Sequence, residues 1–194
     1  MRCLGVRTWK VERNRIKGIE WFNARDLDDP EYQAHIREIA NSIKENGYYE
    51  DKPLAGFVAK EGSEDVIYLT DGYTRLAAVD LVTSEGVEIA ALPIIVKPRG
   101  TSMEDMTVAL YTGNQGRRLT AMETAVVCKR LLGGGWTEKQ IADRLVMSIT
   151  QVRNLLDLIG APLQIRKLVS QGKVAATQAV QTLHTHGSEA VAVL

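Results

Sequence analysis

Residues 137 to 156, TEKQIADRLVMSITQVRNLL, constrain this chain more than any other stretch, because they fit two short helices crossing at a tight turn. Thr137 is placed to cap the first helix, and Gln140, three residues on, to complete a capping box. Ile141, Ala142 and Leu145 form the inward stripe of that helix, with small Ala142 where a second helix must cross closely. Val152, Leu155 and Leu156 form the facing stripe. Val146-Met147-Ser148 leaves room for the turn, and Ser148 suits the cap of the second helix. Such turns favour glycine at the position of Val146, where φ is positive, so valine departs from the template. The outward residues Ile149, Thr150, Gln151, Arg153 and Asn154 include amide and guanidinium groups able to pair bidentately with base edges in a major groove. Ser148 and Thr150 suit phosphate contacts, and Thr137 completes the candidate set. The alternative is an ordinary helical hairpin whose polar face is solvated.

Charge supports a nucleic-acid reading. The formal total of zero hides an asymmetry. From Arg117 to Lys173 ten basic residues face four acidic ones, whereas residues 1 to 116 hold fourteen basic against nineteen acidic. A basic helical module attached to an acidic one is what attraction to a phosphate backbone requires of the part that touches DNA. Nothing in the sequence approaches a signal peptide or a membrane span, so a cytoplasmic location is expected, and the DNA-binding reading makes it nucleoid-associated. Cys3 and Cys128 lack metal or redox spacing and read as free thiols, and His35, His184 and His186 are scattered.

The acidic part alternates helix and strand. Asp29-Pro30 opens a helix that Gly47 stops, with Ile36, Ile39, Ala40 and Ile43 on one face. Residues 53 to 58 and 66 to 69 read as strands of a hairpin around Glu61-Gly62-Ser63. Gly72 starts a second helix, Leu92 to Val96 forms a buried strand, and residues 102 to 112 and 120 to 132 are helical in period. Within Leu69-Thr70-Asp71-Gly72-Tyr73-Thr74-Arg75-Leu76-Ala77-Ala78, a glycine at a strand-to-helix junction lets an anion approach free amides, and Arg75 in the first turn is placed to clamp a phosphate. Pairing of Arg75 with a surface carboxylate is the competing account. Gly113-Asn114-Gln115-Gly116-Arg117-Arg118 mixes flexible backbone with amide and guanidinium donors; otherwise it is a basic interdomain loop.

The order of Asn23-Ala24-Arg25, Ser42 to Gly47, Asp71 to Ala78, Asn114-Gln115 ahead of Leu119 to Glu123, and the helix-turn-helix resembles the ParB partition-protein family. Residues 165 to 174, IRKLVSQGKV, resemble the segment that follows the DNA-reading helices in those proteins. The resemblance implies an α+β N-terminal domain, a small mixed sheet with helices of the ParB/sulfiredoxin-like kind, followed by an all-α helix-turn-helix domain. It implies CTP binding with Mg²⁺ in the first, recognition of a palindromic centromere-like DNA site by a homodimer through the second, and clamp closure on DNA controlled by CTP. Gly72 and Arg75 fall on the glycine and final arginine of the family's G-E-R-R element, while Tyr73 and Thr74 replace its acidic residue and first arginine. The implied nucleotide set is Gly72, Thr74, Arg75, Asn114, Gln115, Arg117 and Arg118, with Asn114 also meeting the metal. Where the family has Glu-Asn, this chain has Gly113-Asn114, or Thr112-Gly113 if the alignment shifts by one. No carboxylate stands at the glutamate position, which argues against efficient CTP hydrolysis.

The expected organisation is a basic tail over residues 1 to 18, a nucleotide-binding domain over 19 to 116 and a DNA-binding domain over 117 to 194. The tail holds Arg2, Arg7, Lys10, Arg13, Arg15 and Lys17 against Glu12 alone, and resembles tails that stimulate a ParA-type ATPase partner. Contact with DNA explains it as readily, and simple solvation explains it better than either. The family's C-terminal dimerisation domain has no counterpart in these residues, so pairing is expected to be weak or nucleotide-driven. A transcriptional regulator whose first domain is only a scaffold is the alternative function; a nuclease ranks last, for want of a carboxylate cluster.

Overall fold

A computed structural model describes residues 8–19, 22–97, 101–113 and 118–194. Contacts divide it into two compact units, Met1–Ser102 and Met103–Leu194.

The first unit is built on a five-stranded mixed sheet of order β1-β5-β3-β4-β2. Its centre is the expected hairpin, β3 (Leu54–Glu61) and β4 (Glu64–Asp71), paired antiparallel and turned at Gly62, whose φ of 61° suits glycine. β5 (Leu92–Val96) runs parallel to β3. Helix α1 (Pro30–Asn46) starts where Asp29 caps the Glu31 amide at 3.0 Å, with proline at its first position, and ends at Gly47 with φ 76°. It buries Tyr32, Ile36, Ala40 and Ile43. These meet Leu76, Ala78, Val79 and Val82 of α2 (Tyr73–Ser84) and the alternate sheet residues Leu54, Ile67, Leu69, Leu92 and Ile94 in one core.

The structure corrects the tail. Among the described residues of that segment, Thr8–Val11 form β1, antiparallel to β5, and Ile16–Lys17 form β2, parallel to β4, so residues 8 to 17 make both edges of the sheet. Val11 packs against the core and Ile16 is buried within it. Three of the basic residues read as solvated are paired with acids across the fold: Lys10 with Glu50, Lys17 with Glu61, and Arg13 with Asp80 at 2.5 Å. The carboxylate of Glu61 accepts from Lys17 and from the Tyr68 hydroxyl, which holds its pKa below the ordinary value. Arg2 and Arg7 lie outside the described residues.

The second unit is helical. Its first helix, α3 (Met103–Gly113), packs on α4 (Ala121–Gly133) and α5 (Glu138–Leu145), so the division between units falls before α3. α4 opens on a capping box between Thr120 and Glu123. It buries Ala125, Val127, Cys128 and Leu131. Beyond α6 (Ile149–Gly160) come α7 (Leu163–Ser170), α8 (Ala176–His186) and the short α9 (Ala190–Val193). Leu158, Ala161, Ile165, Val174, Ala179, Val180 and Ala190 close them into a second cluster. No helix of the described residues is long and apolar enough to cross a membrane.

Candidate functional site

The two helices of the turn motif form as the sequence dictates. Thr137 Oγ1 accepts the Gln140 amide at 3.2 Å, and Gln140 Oε1 accepts the Thr137 amide at 2.8 Å. α6 begins with a second capping box: Ser148 Oγ accepts the Gln151 amide at 3.1 Å, and Gln151 Oε1 accepts the Ser148 amide at 2.8 Å. Ile141, Ala142, Leu145 and Val152 are buried, while Leu155 and Leu156 are half-buried. Between the helices Val146 takes the left-handed conformation, φ 55° and ψ 53°, with its side chain 90% exposed. It is the one residue other than glycine with positive φ among the described residues. The turn therefore has the geometry the template requires, on a residue that pays for it in strain.

On α6 the residues Ser148, Ile149, Thr150, Gln151 and Arg153 are exposed and Asn154 is half-buried, so the helix presents its proposed readers as a face. Their hydrogen-bonding capacity is nevertheless partly committed. The Thr137 hydroxyl donates to Gln140 Oε1 at 2.9 Å, and the Gln151 carboxamide oxygen is held by the cap, which leaves its Nε2 donors for a partner. Arg153 Nε donates to Glu138 Oε2 at 2.6 Å. The sequence reading missed Glu138: fifteen residues separate it from Arg153, and only the crossing of α5 and α6 joins them. Counted over the compact unit, which takes in Glu104 and Asp105 of α3, ten basic groups face seven acidic ones, and Arg144 is paired with Asp105 at 3.4 Å.

In the first unit, Gly72 has φ 97° at the start of α2, and no side chain caps the helix. A Cβ there would press into Leu54 and stand 3.2 Å from Arg75 Nη2. Thr70, immediately before Asp71 on β4, is buried, and its hydroxyl oxygen has no hydrogen-bond partner among the described residues. Arg75 is engaged elsewhere: Nη1 donates to the Lys52 carbonyl and, at 2.8 Å, to the Pro53 carbonyl, and Nη2 to Asp71 at 3.2 Å. Burial pushes the neighbouring Tyr48 phenol above its ordinary pKa, against the opposing pull of Arg75. Thr74 Oγ1 lies 3.3 Å from the Tyr32 hydroxyl, and Tyr73 donates to the Leu69 carbonyl at 2.8 Å. Asn114, Gln115 and Arg117 lie outside the described residues; Arg118 is exposed just ahead of α4. No group of three or more histidine, cysteine or acidic residues able to hold a metal occurs among the described residues.

Residues 117–193 match the ParB HTH domain family. Over 174 residues the chain is 26% identical to a probable chromosome 1-partitioning protein ParB of Deinococcus radiodurans, covering 90% of this chain and 54% of that protein. Over 158 residues it is 27% identical to a probable chromosome-partitioning protein ParB of Rickettsia conorii, covering 81% and 50%. The chain is similar to ParB partitioning proteins over most of its length. It spans about half the length of the curated ParB relatives it matches. Its fold is shared with the C-terminally truncated chromosome-partitioning protein ParB from Caulobacter crescentus, solved in complex with the centromeric parS site, at a TM-score of 0.58 and 16% identity over 95% of this chain and 88% of that one. The mixed sheet followed by a helical region is thus the ParB arrangement the sequence led us to expect.

Proposed function

We propose that this chain is a ParB-like, site-specific duplex-DNA-binding protein of DNA partition, in which α6 enters the major groove and a homodimer reads a palindromic, centromere-like site. The observation that carries the reading is the doubly capped α5–α6 pair, which holds Ile149, Thr150, Arg153 and Asn154 on one face of a helix that is buried on the other. Ser148 and Thr150, with the basic groups of the unit, which outnumber its acidic ones, supply phosphate contacts.

The first unit is proposed to bind CTP with Mg²⁺ and so to govern closure of the dimer on DNA. The start of α2 fits a phosphate, because among the described residues no side chain caps its first-turn amides. Bound Mg²⁺ would offset triphosphate charge, with Asn114 as its proposed ligand. Arg75 bears on the alternative, a helix-turn-helix regulator of a mobile element whose first unit takes no nucleotide, because its guanidinium is already bonded to two carbonyls and to Asp71. For phosphate to recruit Arg75 it must displace at least one of these bonds.

Calorimetric titration of the whole chain with CTP, ATP, GTP and UTP in Mg²⁺, with and without duplex, tests both readings. Selective uptake of CTP, lost in Arg75→Ala, supports nucleotide-governed partition. Specific duplex binding with no nucleotide uptake supports the regulator, and failure to prefer any duplex sequence refutes both.

A further inference from the structure

Glu138 is the first residue of α5, and its carboxylate accepts from Nε of Arg153 on α6 at 2.6 Å. The bond ties the start of the first helix to the exposed face of the second. The Arg153 side chain is 63% exposed and that of Glu138 37%. An exposed ion pair adds little to the stability of a fold. A carboxylate beside a DNA-facing helix also repels phosphate and cancels one of the cations the interface offers. An acidic side chain in the first turn of α5 does complement the helix start, but that role needs no bond to Arg153.

The geometry of the guanidinium accounts for it better. Bound through Nε, Arg153 keeps both Nη groups without a partner among the described residues. That pair forms a planar two-donor fork, the shape that matches O6 and N7 of guanine. A free arginine loses rotamer freedom on forming such a contact; one already tethered loses less, because its orientation is fixed before the duplex arrives. The neighbouring long polar side chain is restrained too, since Gln151 is fastened to the Ser148 amide.

We propose that Glu138 is a positioning residue for DNA reading: it holds Arg153 with the Nη fork directed at one guanine, converting a mobile phosphate-seeking cation into a base reader. The inference rests on α6 being the DNA-reading helix. Glu138 touches no base itself.

The test begins by selecting a duplex from a randomised pool with the full chain. Affinities are then measured for that duplex, for each single base-pair variant of it and for an unrelated sequence, with wild type, Arg153→Ala, Glu138→Ala, Glu138→Gln and the Glu138→Ala/Arg153→Ala double variant. Arg153→Ala is expected to erase discrimination at one base pair. Glu138→Ala should reduce discrimination at that same base pair roughly tenfold, within the range a good bidentate contact provides, while affinity for the unrelated duplex holds or rises. Glu138→Gln, whose amide oxygen still accepts from Nε, should keep most of the discrimination, and in the Arg153→Ala background Glu138→Ala should change nothing at that position. Full discrimination retained by Glu138→Ala overturns the proposal. So does a loss spread evenly over all sequences with a lowered melting temperature, which would assign Glu138 only to the helix start of α5. If the pool yields no preferred duplex, or Arg153→Ala weakens every duplex equally, base reading by Arg153 falls first, and the role of Glu138 falls with it.

Discussion

Val146→Gly should make the second unit more stable, and the size of the gain follows from the turn. Val146 sits at φ 55° and ψ 53° with 90% of its surface in water, so removing the side chain gives up almost no burial. A left-handed conformation costs an L-residue about 1–2 kcal/mol, and a β-branched side chain is at the unfavourable end. Glycine relieves that strain but adds about 0.5–1 kcal/mol of chain entropy to be lost on folding. The difference is a gain of about 0.5–1 kcal/mol. For a unit the size of Met103–Leu194, each kcal/mol moves the midpoint by about 4–8 °C, so the expected rise is about 2–8 °C. Thermal unfolding of the whole chain, followed by far-ultraviolet circular dichroism, reads it. Val146→Ala, which keeps a Cβ, should recover only part of the gain. A midpoint for Val146→Gly at or below wild type would refute the strain argument and mean that valine makes a compensating contact in the turn.

Ser148→Ala removes one half of the second capping box and frees the other, and should destabilise by about 1 kcal/mol; an unchanged denaturation midpoint would show that water replaces the cap without loss. Gly72→Ala must accommodate a Cβ against buried Leu54 at φ 97°, so a loss of about 2–4 kcal/mol in urea unfolding is expected, and a change below about 0.5 kcal/mol would refute the packing account. Burial pushes the Cys128 thiol up to about 11, so alkylation at pH 8 should be far slower than for a cysteine peptide, and rapid labelling of the folded chain would contradict its placement. The same shift has a sign for stability: between the ordinary thiol pKa of 9 and about 11 the folded chain keeps a proton that the unfolded chain releases, so stability should fall as pH rises through that window, and Cys128→Ala should flatten the fall.

What the sequence disclosed were features whose cause is local. The start of α1 follows from Asp29-Pro30, the hairpin from its turn at Gly62, and both capped helices of the motif from Thr137, Gln140 and Ser148, because a cap or a positive φ is decided within four residues. The positive φ at Val146 was legible even though the residue that favours it was absent. β1 and β2 were hidden because TWKV and IK have no pattern of their own; they are strands only because Leu92–Ile95 and Ile67–Tyr68 lie beside them. Their lysines and arginine looked solvated because the acids that pair with them stand forty or more residues away. The same distance effect hid the candidate site's working geometry. The composition of the α6 face suggested the proposed readers, but the hold of Glu138 on Arg153 and of the Lys52 and Pro53 carbonyls on Arg75 depends on which helices and loops cross.

The pairing of the earliest strands with late ones sets an order of events during synthesis. β1 finds its partner only in β5, at the far end of the first unit, and β2 only in β4, so residues 8 to 17 leave the ribosome long before anything exists for them to pair with. The hairpin β3–β4 and helix α1, whose contacts are closer in sequence, are able to assemble first. The segment Thr8–Lys17 then docks last, on both sides of a sheet already formed, and a deletion that removes it would expose two strand edges at once, making aggregation of the nascent unit the expected failure.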